Sequence, residues 1–149
     1  MVRQFREVTA GSAAMTAKFV AAVMAGGGVG ATTRYLLAES LAPPTPPSFP
    51  WVTFLINLTG SFALGAVMTL LATAWLSTEY VKPFVATGVI GSFTTWSHFI
   101  VESNQLIEAG QARLAILYVV VSIVLGIAVA AGGAALVEAR LRRREERTP

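Results

Sequence analysis

The chain has no cysteine, no aspartate and a single histidine. Without cysteine there is no disulfide framework, thiolate metal site or thiol nucleophile, and the redox compartment stays open. Charge is scarce as well. Only 13% of residues are Asp, Glu, Lys or Arg, about half the share of a soluble domain, while 54% are apolar. A chain of mean hydropathy +0.64 cannot cover a soluble core with polar surface, so the sequence predicts an all-α integral membrane protein.

What charge there is lies at the ends. Arg3, Arg6 and Lys18 precede the first apolar run, and Arg140, Arg142, Arg143, Arg144 and Arg147 follow the last, diluted by Glu138, Glu145 and Glu146. Flanking charge of this kind orients membrane helices more often than it binds nucleic acid, and no nucleic-acid partner is expected. Lys18 followed by "FVAAVMAG" imitates a signal peptide, but the apolar run continues through "GGVGATT" to Arg34 and "YLLA". One uncleaved, glycine-rich span is the expected reading.

Four spans are predicted, at about 17–38, 51–75, 84–107 and 114–136. "APPTPPSFP" separates the first two, because proline lacks the amide donor and clashes with the preceding turn. Pro50 stands near the first helical position of span two, and Trp51 and Trp75 mark its two interfaces. Residues 1–15 are expected as a flexible basic arm, 16–139 as a single four-helix transmembrane domain and 140–149 as a basic tail. The arm, the tail and the second loop together hold nine basic residues, against Arg34 and Arg113 on the other side. The positive-inside rule then predicts a multi-pass inner (plasma) membrane protein with both termini cytoplasmic.

Polar and small residues recur on particular faces. Thr53, Asn57, Ser61 and Gly65 fall every fourth residue in span two. An amide in hydrocarbon is costly without a partner, so Asn57 should face protein or water. The stripe reads either as adhesion between helices or as a solute path. Tyr118, Ser122 and Gly126 repeat the pattern in span four, and Gly132 and Gly133 look like close packing. Gly26 and Gly30 fit a small-residue helix contact. Arg34 is placed to reach headgroups, tie down helix-end carbonyls or attract anions to a vestibule.

Span three departs furthest from a lipid-facing helix. "GVIGSFTTWSHF", residues 88–99, sets Gly88 and Gly91 before a hydroxyl-rich run. This predicts a helix broken within the membrane, which is tolerated only inside protein or beside water or an ion. Freed carbonyls can hold a cation; freed amides and hydroxyls can hold an anion. Trp96 and Phe99 share a face, and His98 could pair with Glu102 four residues on as a proton relay.

"GGGVGATTRY", "NLTGSFALG" and "GVIGSFTTWSHF" resemble, in order and spacing, the signature segments of the Fluc/CrcB fluoride channel family. The likeness runs over residues 17–136. It implies a small passive fluoride channel built as an antiparallel (inverted) dimer, with the third helix broken and two pores along the interface. On that resemblance Asn57 is the pore asparagine and Phe99 a pore-lining phenylalanine. Thr95 and Ser97 belong to a polar track with Tyr118 and Ser122 opposite. Arg34 lies in the vestibule, and Glu102 matches an acidic position. The backbone carbonyls of Gly91 and Thr94 would hold a central structural Na+ shared by the two subunits. Trp96 and His98 stand where the family usually has phenylalanine and threonine, which puts conduction through both lanes in question.

The residue types suit a small, strongly hydrated anion. The Asn57 amide and the hydroxyls of Thr53, Thr95, Ser97 and Ser122 are neutral donors, which bind without trapping. The edges of Phe99 and Trp96 are electropositive. No nucleotide-binding loop is present and no enzymatic activity is expected. Two alternatives are a proton-coupled small multidrug exporter, whose required glutamate in span one could only be Glu39, and a non-conducting scaffold subunit. The expected assembly is a homodimer or a heterodimer with an oppositely oriented homologue, and the charge bias raises the second as a hypothesis.

Overall fold

The computed structural model describes residues 2–41, 48–73 and 80–146, with residues 2–14 and Glu145 described by backbone alone. Trp75, most of the proline-rich loop and Arg147 lie outside the described residues. All described elements are helical: α1 (Val2–Ser40), α2 (Trp51–Thr73), α3 (Pro83–Ile90), α4 (Gly91–Phe93), α5 (Trp96–Glu108) and α6 (Ala112–Glu145). Helices satisfy their own backbone donors and acceptors, which is what a hydrocarbon solvent demands.

The backbone is helical from Val2, in one run with the expected first span. No proline occurs before residue 43, so nothing stops the helix at the end of the basic segment. Three stretches are long and apolar enough to cross a membrane: Trp51–Thr73, Pro83–Glu108 and Ala112–Arg144. α1 is not among them, because its glycines, Thr32, Thr33 and Arg34 dilute its apolar content.

The ends of the elements follow local chemistry. The carbonyl of Pro50 accepts from the Phe54 amide at 3.0 Å, so the proline is the cap of α2 and its missing N–H costs nothing. α5 ends in a Schellman turn. Gly110, at φ 75°, takes the left-handed conformation, the Gln111 amide returns to Leu106 at 2.8 Å and the Gly110 amide to Ile107 at 2.9 Å.

Two helix pairs dominate the packing, α2 on α6 and α1 on α3. Glycine makes both possible. A Cβ on Gly26 would strike the carbonyl oxygen of Phe84, and one on Gly30 that of Val89. In the other pair Gly65 meets Ala130 and Gly133 meets Phe62, again backbone to backbone. Such close approach is how helices adhere where lipid removes the hydrophobic drive. Gly132, expected to pack closely, has open space where its Cβ would be.

The buried core is small. Phe54, Phe99, Leu106, Ala115 and Tyr118 form it, with Phe49 packed against it. Phe49 meets Phe54 and Tyr118 edge-on at centroid distances of 5.4 and 5.3 Å, the orientation that ring quadrupoles prefer. Around this core, Leu117, Val120, Val124 and Ile127 of α6 stand exposed. Water would not tolerate so large an apolar surface; acyl chains or a partner subunit would.

Candidate functional site

The third span is broken, and the break lies at Thr94–Thr95. Thr94 (φ −75°, ψ 159°) and Thr95 (φ −143°, ψ 124°) are extended, between the end of α4 and the start of α5. The glycines expected to weaken this helix do other work. Gly88 sits inside α3, which is wound as a π-helix, and packs on the backbone of Gly26; Gly91 opens α4.

Asn57 holds the break open. Its Nδ2 donates to the Thr95 carbonyl at 3.0 Å, and its Oδ1 accepts from the Thr95 amide at 2.9 Å. One side-chain amide thus bonds both backbone groups of one residue and replaces the helical acceptor that the Thr95 amide has lost, at about 1 kcal/mol net per bond. The Thr95 hydroxyl caps α5 by accepting from the His98 amide at 3.3 Å, and it also lies 3.1 Å from His98 Nδ1 and 3.3 Å from Ser97 Oγ. Gly60, which the sequence reading missed, gives Thr94 its room: a Cβ there would strike Thr94 Cγ2.

These bonds redirect donors that a continuous helix would use. The Thr95 amide would have served the Gly91 carbonyl, and the His98 amide the Thr94 carbonyl. Gly91 and Thr94 are the two residues whose carbonyls the resemblance assigns to Na+, so the donor set fits a hard cation that takes oxygen ligands. Ser92, between them, gives its carbonyl to Arg34 Nε at 3.1 Å. Arg34 therefore ties down the broken end of α4. Its cation also complements the negative end of that short helix.

A cleft of about 400 Å³ opens beside the break. Asn57, Thr95, Trp96, Phe99 and Ser122 line it, together with Gly91 and Thr94. Five of the eight expected pathway residues thus meet in one space. The Ser122 hydroxyl is buried without a hydrogen-bond partner among the described residues. Trp96 is 69% exposed and its ring lies 5.1 Å from Phe99, whose side chain is buried. The N-terminus of α5 lies at the break, and its leading amides and dipole favour an anion there.

The other three expected residues lie elsewhere. Ser97 is exposed beside Thr95 and outside the cleft lining. Thr53 and Tyr118 are on the far side of Phe99, gathered by Glu102: Thr53 Oγ1 donates to Glu102 Oε1 at 2.7 Å and the Tyr118 hydroxyl to Oε2 at 3.0 Å. Phe99 separates the two groups, with its ring 5.1 Å from that of Tyr118. The expected His98–Glu102 pair does not form. Glu102 is held by span two and α6, while His98 turns back to Thr95, because the cap geometry draws its ring toward the Thr95 hydroxyl.

Residues 21–134 match the family described as CrcB-like protein, Camphor Resistance (CrcB). The chain belongs to the CrcB family. A relative from Nocardia farcinica named fluoride-specific ion channel FluC 2 is 38% identical over 126 residues, covering 82% of this chain and 89% of its own. Fluoride-specific ion channel FluC from Rhodospirillum centenum is 38% identical over 120 residues, covering 80% of this chain and 95% of its own. A third FluC, from Sphingopyxis alaskensis, is 43% identical over 102 residues, covering 68% and 81%. The CrcB match takes in α2 to α5 whole, and with them the Asn57 clamp, the break and the cleft.

Proposed function

We propose that this CrcB-family chain is a fluoride channel subunit that passively exports cytoplasmic fluoride and so relieves its toxicity. The observation that carries the reading is the Asn57 clamp on Thr95, which keeps a membrane-spanning helix open beside a cleft lined by neutral donors. One of the two Asn57 Nδ2 protons goes to Thr95, which leaves the second for an anion. The Ser122 hydroxyl, unpartnered among the described residues, adds another donor, and Thr95 lines the same cleft. Several neutral donors can replace the hydration of a small halide without a fixed charge that would trap it. Phe99 and Trp96 supply electropositive ring edges along the same wall. Beyond Phe99, the hydroxyls of Thr53 and Tyr118 are held by Glu102, and Ser97 stands at the mouth.

The assembly is an antiparallel dimer, either of two copies or of this chain with an oppositely oriented homologue, in the plasma membrane. Exposed Trp96 and the outer face of α6 are consistent with a surface that a second subunit covers. α1 supplies the fourth crossing, packed against α3 through Gly26 and Gly30. Structural Na+ is proposed at the carbonyls of Gly91 and Thr94, where it would satisfy backbone oxygens and add positive potential near the cleft. Export is driven by the membrane potential, worth about 2.3 kcal/mol per charge per 100 mV.

The test is fluoride efflux from liposomes, read with a fluoride electrode, for the purified chain alone and for the chain with an opposite-facing homologue. Efflux from the chain alone supports the homodimer, and efflux only with the homologue supports the mixed pair. No efflux from either, with correctly inserted protein, refutes the channel reading.

A further inference from the structure

We infer that His98 is a positioning residue for the anion path: its ring decides whether the Thr95 hydroxyl turns a proton or a lone pair toward the cleft. This rests on the chain's being a fluoride channel subunit. Thr95 lines the cleft, and its hydroxyl has one proton and two lone pairs to place. One lone pair is committed, since it accepts from the His98 amide at the start of α5. The hydroxyl lies closer to His98 Nδ1, at 3.1 Å, than to Ser97 Oγ, at 3.3 Å.

Two states follow. A ring protonated only at Nε2 offers Nδ1 as an acceptor, so the contact is a hydrogen bond only if Thr95 donates. The hydroxyl proton is then spent on His98, and what remains for the cleft is a lone pair, which repels an anion. An imidazolium carries hydrogen on both nitrogens. Nδ1 then donates to Thr95 Oγ1, fills its second lone pair and releases the hydroxyl proton. That proton joins the Asn57 amide and the Ser122 hydroxyl as a neutral donor to fluoride.

His98 is exposed, and its ring partner among the described residues is the Thr95 hydroxyl. α5 packs on α2 and α6. α2 has no charged or titratable residue. α6 has Arg113 in its first turn, then Tyr118, whose hydroxyl is bonded to Glu102, and no charged residue from there to Glu138. On α5 itself, Glu102 is held by Thr53 and Tyr118, and Glu108 closes the helix. The charged groups that pack around α5 therefore leave the ring to Thr95.

The chain has a single histidine, so isotope labelling of histidine ring nitrogens in the untagged, full-length protein reports this ring alone by NMR. In the neutral ring we expect Nδ1 unprotonated and accepting a hydrogen bond, with the proton on Nε2. A neutral ring with its proton on Nδ1 overturns the inference, because Thr95 could not donate to it. The second arm is fluoride efflux from liposomes, in whichever assembly conducts, with the leak of protein-free liposomes subtracted. Efflux should rise about fivefold between about pH 8 and about pH 5.5, the effect of one net hydrogen bond over the interval in which imidazole gains its charge. H98N, whose side chain does not titrate, should conduct equally at both. A ratio that survives in H98N, or wild-type efflux indifferent to pH, overturns the inference and leaves the channel reading standing. A ratio abolished by high salt also overturns it, since the ring's charge and not its bond to Thr95 would be the cause. Efflux absent at every pH overturns the channel reading and this inference with it.

Discussion

Asn57 is the residue on which the broken span depends. Alanine there leaves the Thr95 amide without its partner, at a cost of about 1–3 kcal/mol for a buried group, and takes one of the bonds to the Thr95 carbonyl. We expect N57A to lower liposome fluoride efflux more than ~10-fold, equivalent to the loss of a contribution of about 1.4 kcal/mol. Efflux near the wild-type rate would show that the clamp is not needed for conduction. Trp96 poses the opposite case. It lines the cleft with its ring 5.1 Å from that of Phe99 and 69% of its surface exposed. W96F is expected to raise unitary fluoride flux, and unchanged flux would remove Trp96 from the lane. That Asn57 must face a partner was legible from its place in an apolar helix. Its partner was not, because nothing in the sequence places residue 57 beside residue 95.

At the scale of elements, the glycines divide the molecule's contacts. Gly26 and Gly30 let α1 lie backbone to backbone on α3, whereas Gly28, between them, has open space where its Cβ would be. G30V should therefore lower the thermal unfolding temperature in detergent, with a loss of about 2 kcal/mol from overpacking. G28A should leave it unchanged or raise it, since alanine favours the helix by about 0.5–1 kcal/mol. A G28A penalty equal to that of G30V would mean that glycine content, and not the α1–α3 contact, is what matters. The turn after α5 makes a second, independent point: Gly110 holds φ 75°, so G110A costs about 1–2 kcal/mol although nothing surrounds the side-chain position. The break was expected from Gly88, Gly91 and the hydroxyl run before Trp96, and it falls at the end of that run, three residues past Gly91. Poor helix propensity is a weak signal, and the tertiary bond between Asn57 and Thr95 decides the place.

For the whole molecule, the small core and the wide apolar exterior fit a surface covered by acyl chains or by a partner subunit. The redirected Thr95 and His98 amides no longer serve the carbonyls of Gly91 and Thr94, where structural Na+ is proposed. Replacing sodium by N-methylglucamine on both sides of the membrane is expected to slow fluoride efflux, and restoring sodium to recover it. Efflux indifferent to the exchange, after exhaustive removal of the ion, would argue against the site.

The sequence alone determined that this is a helical membrane protein, where three membrane-capable helices begin to within two residues, and which family it belongs to. These follow from composition, proline placement and the order of three motifs, all of which are properties of the chain read in a line. The tertiary structure alone decided which polar groups meet. It joined Asn57 to Thr95, Arg34 to Ser92, and Glu102 to Thr53 and Tyr118, and it separated Thr53 and Tyr118 from the cleft by the ring of Phe99. The reason is physical. In hydrocarbon a buried polar group must find a partner at hydrogen-bond distance, and the partners here come from other helices, so only packing can assign them.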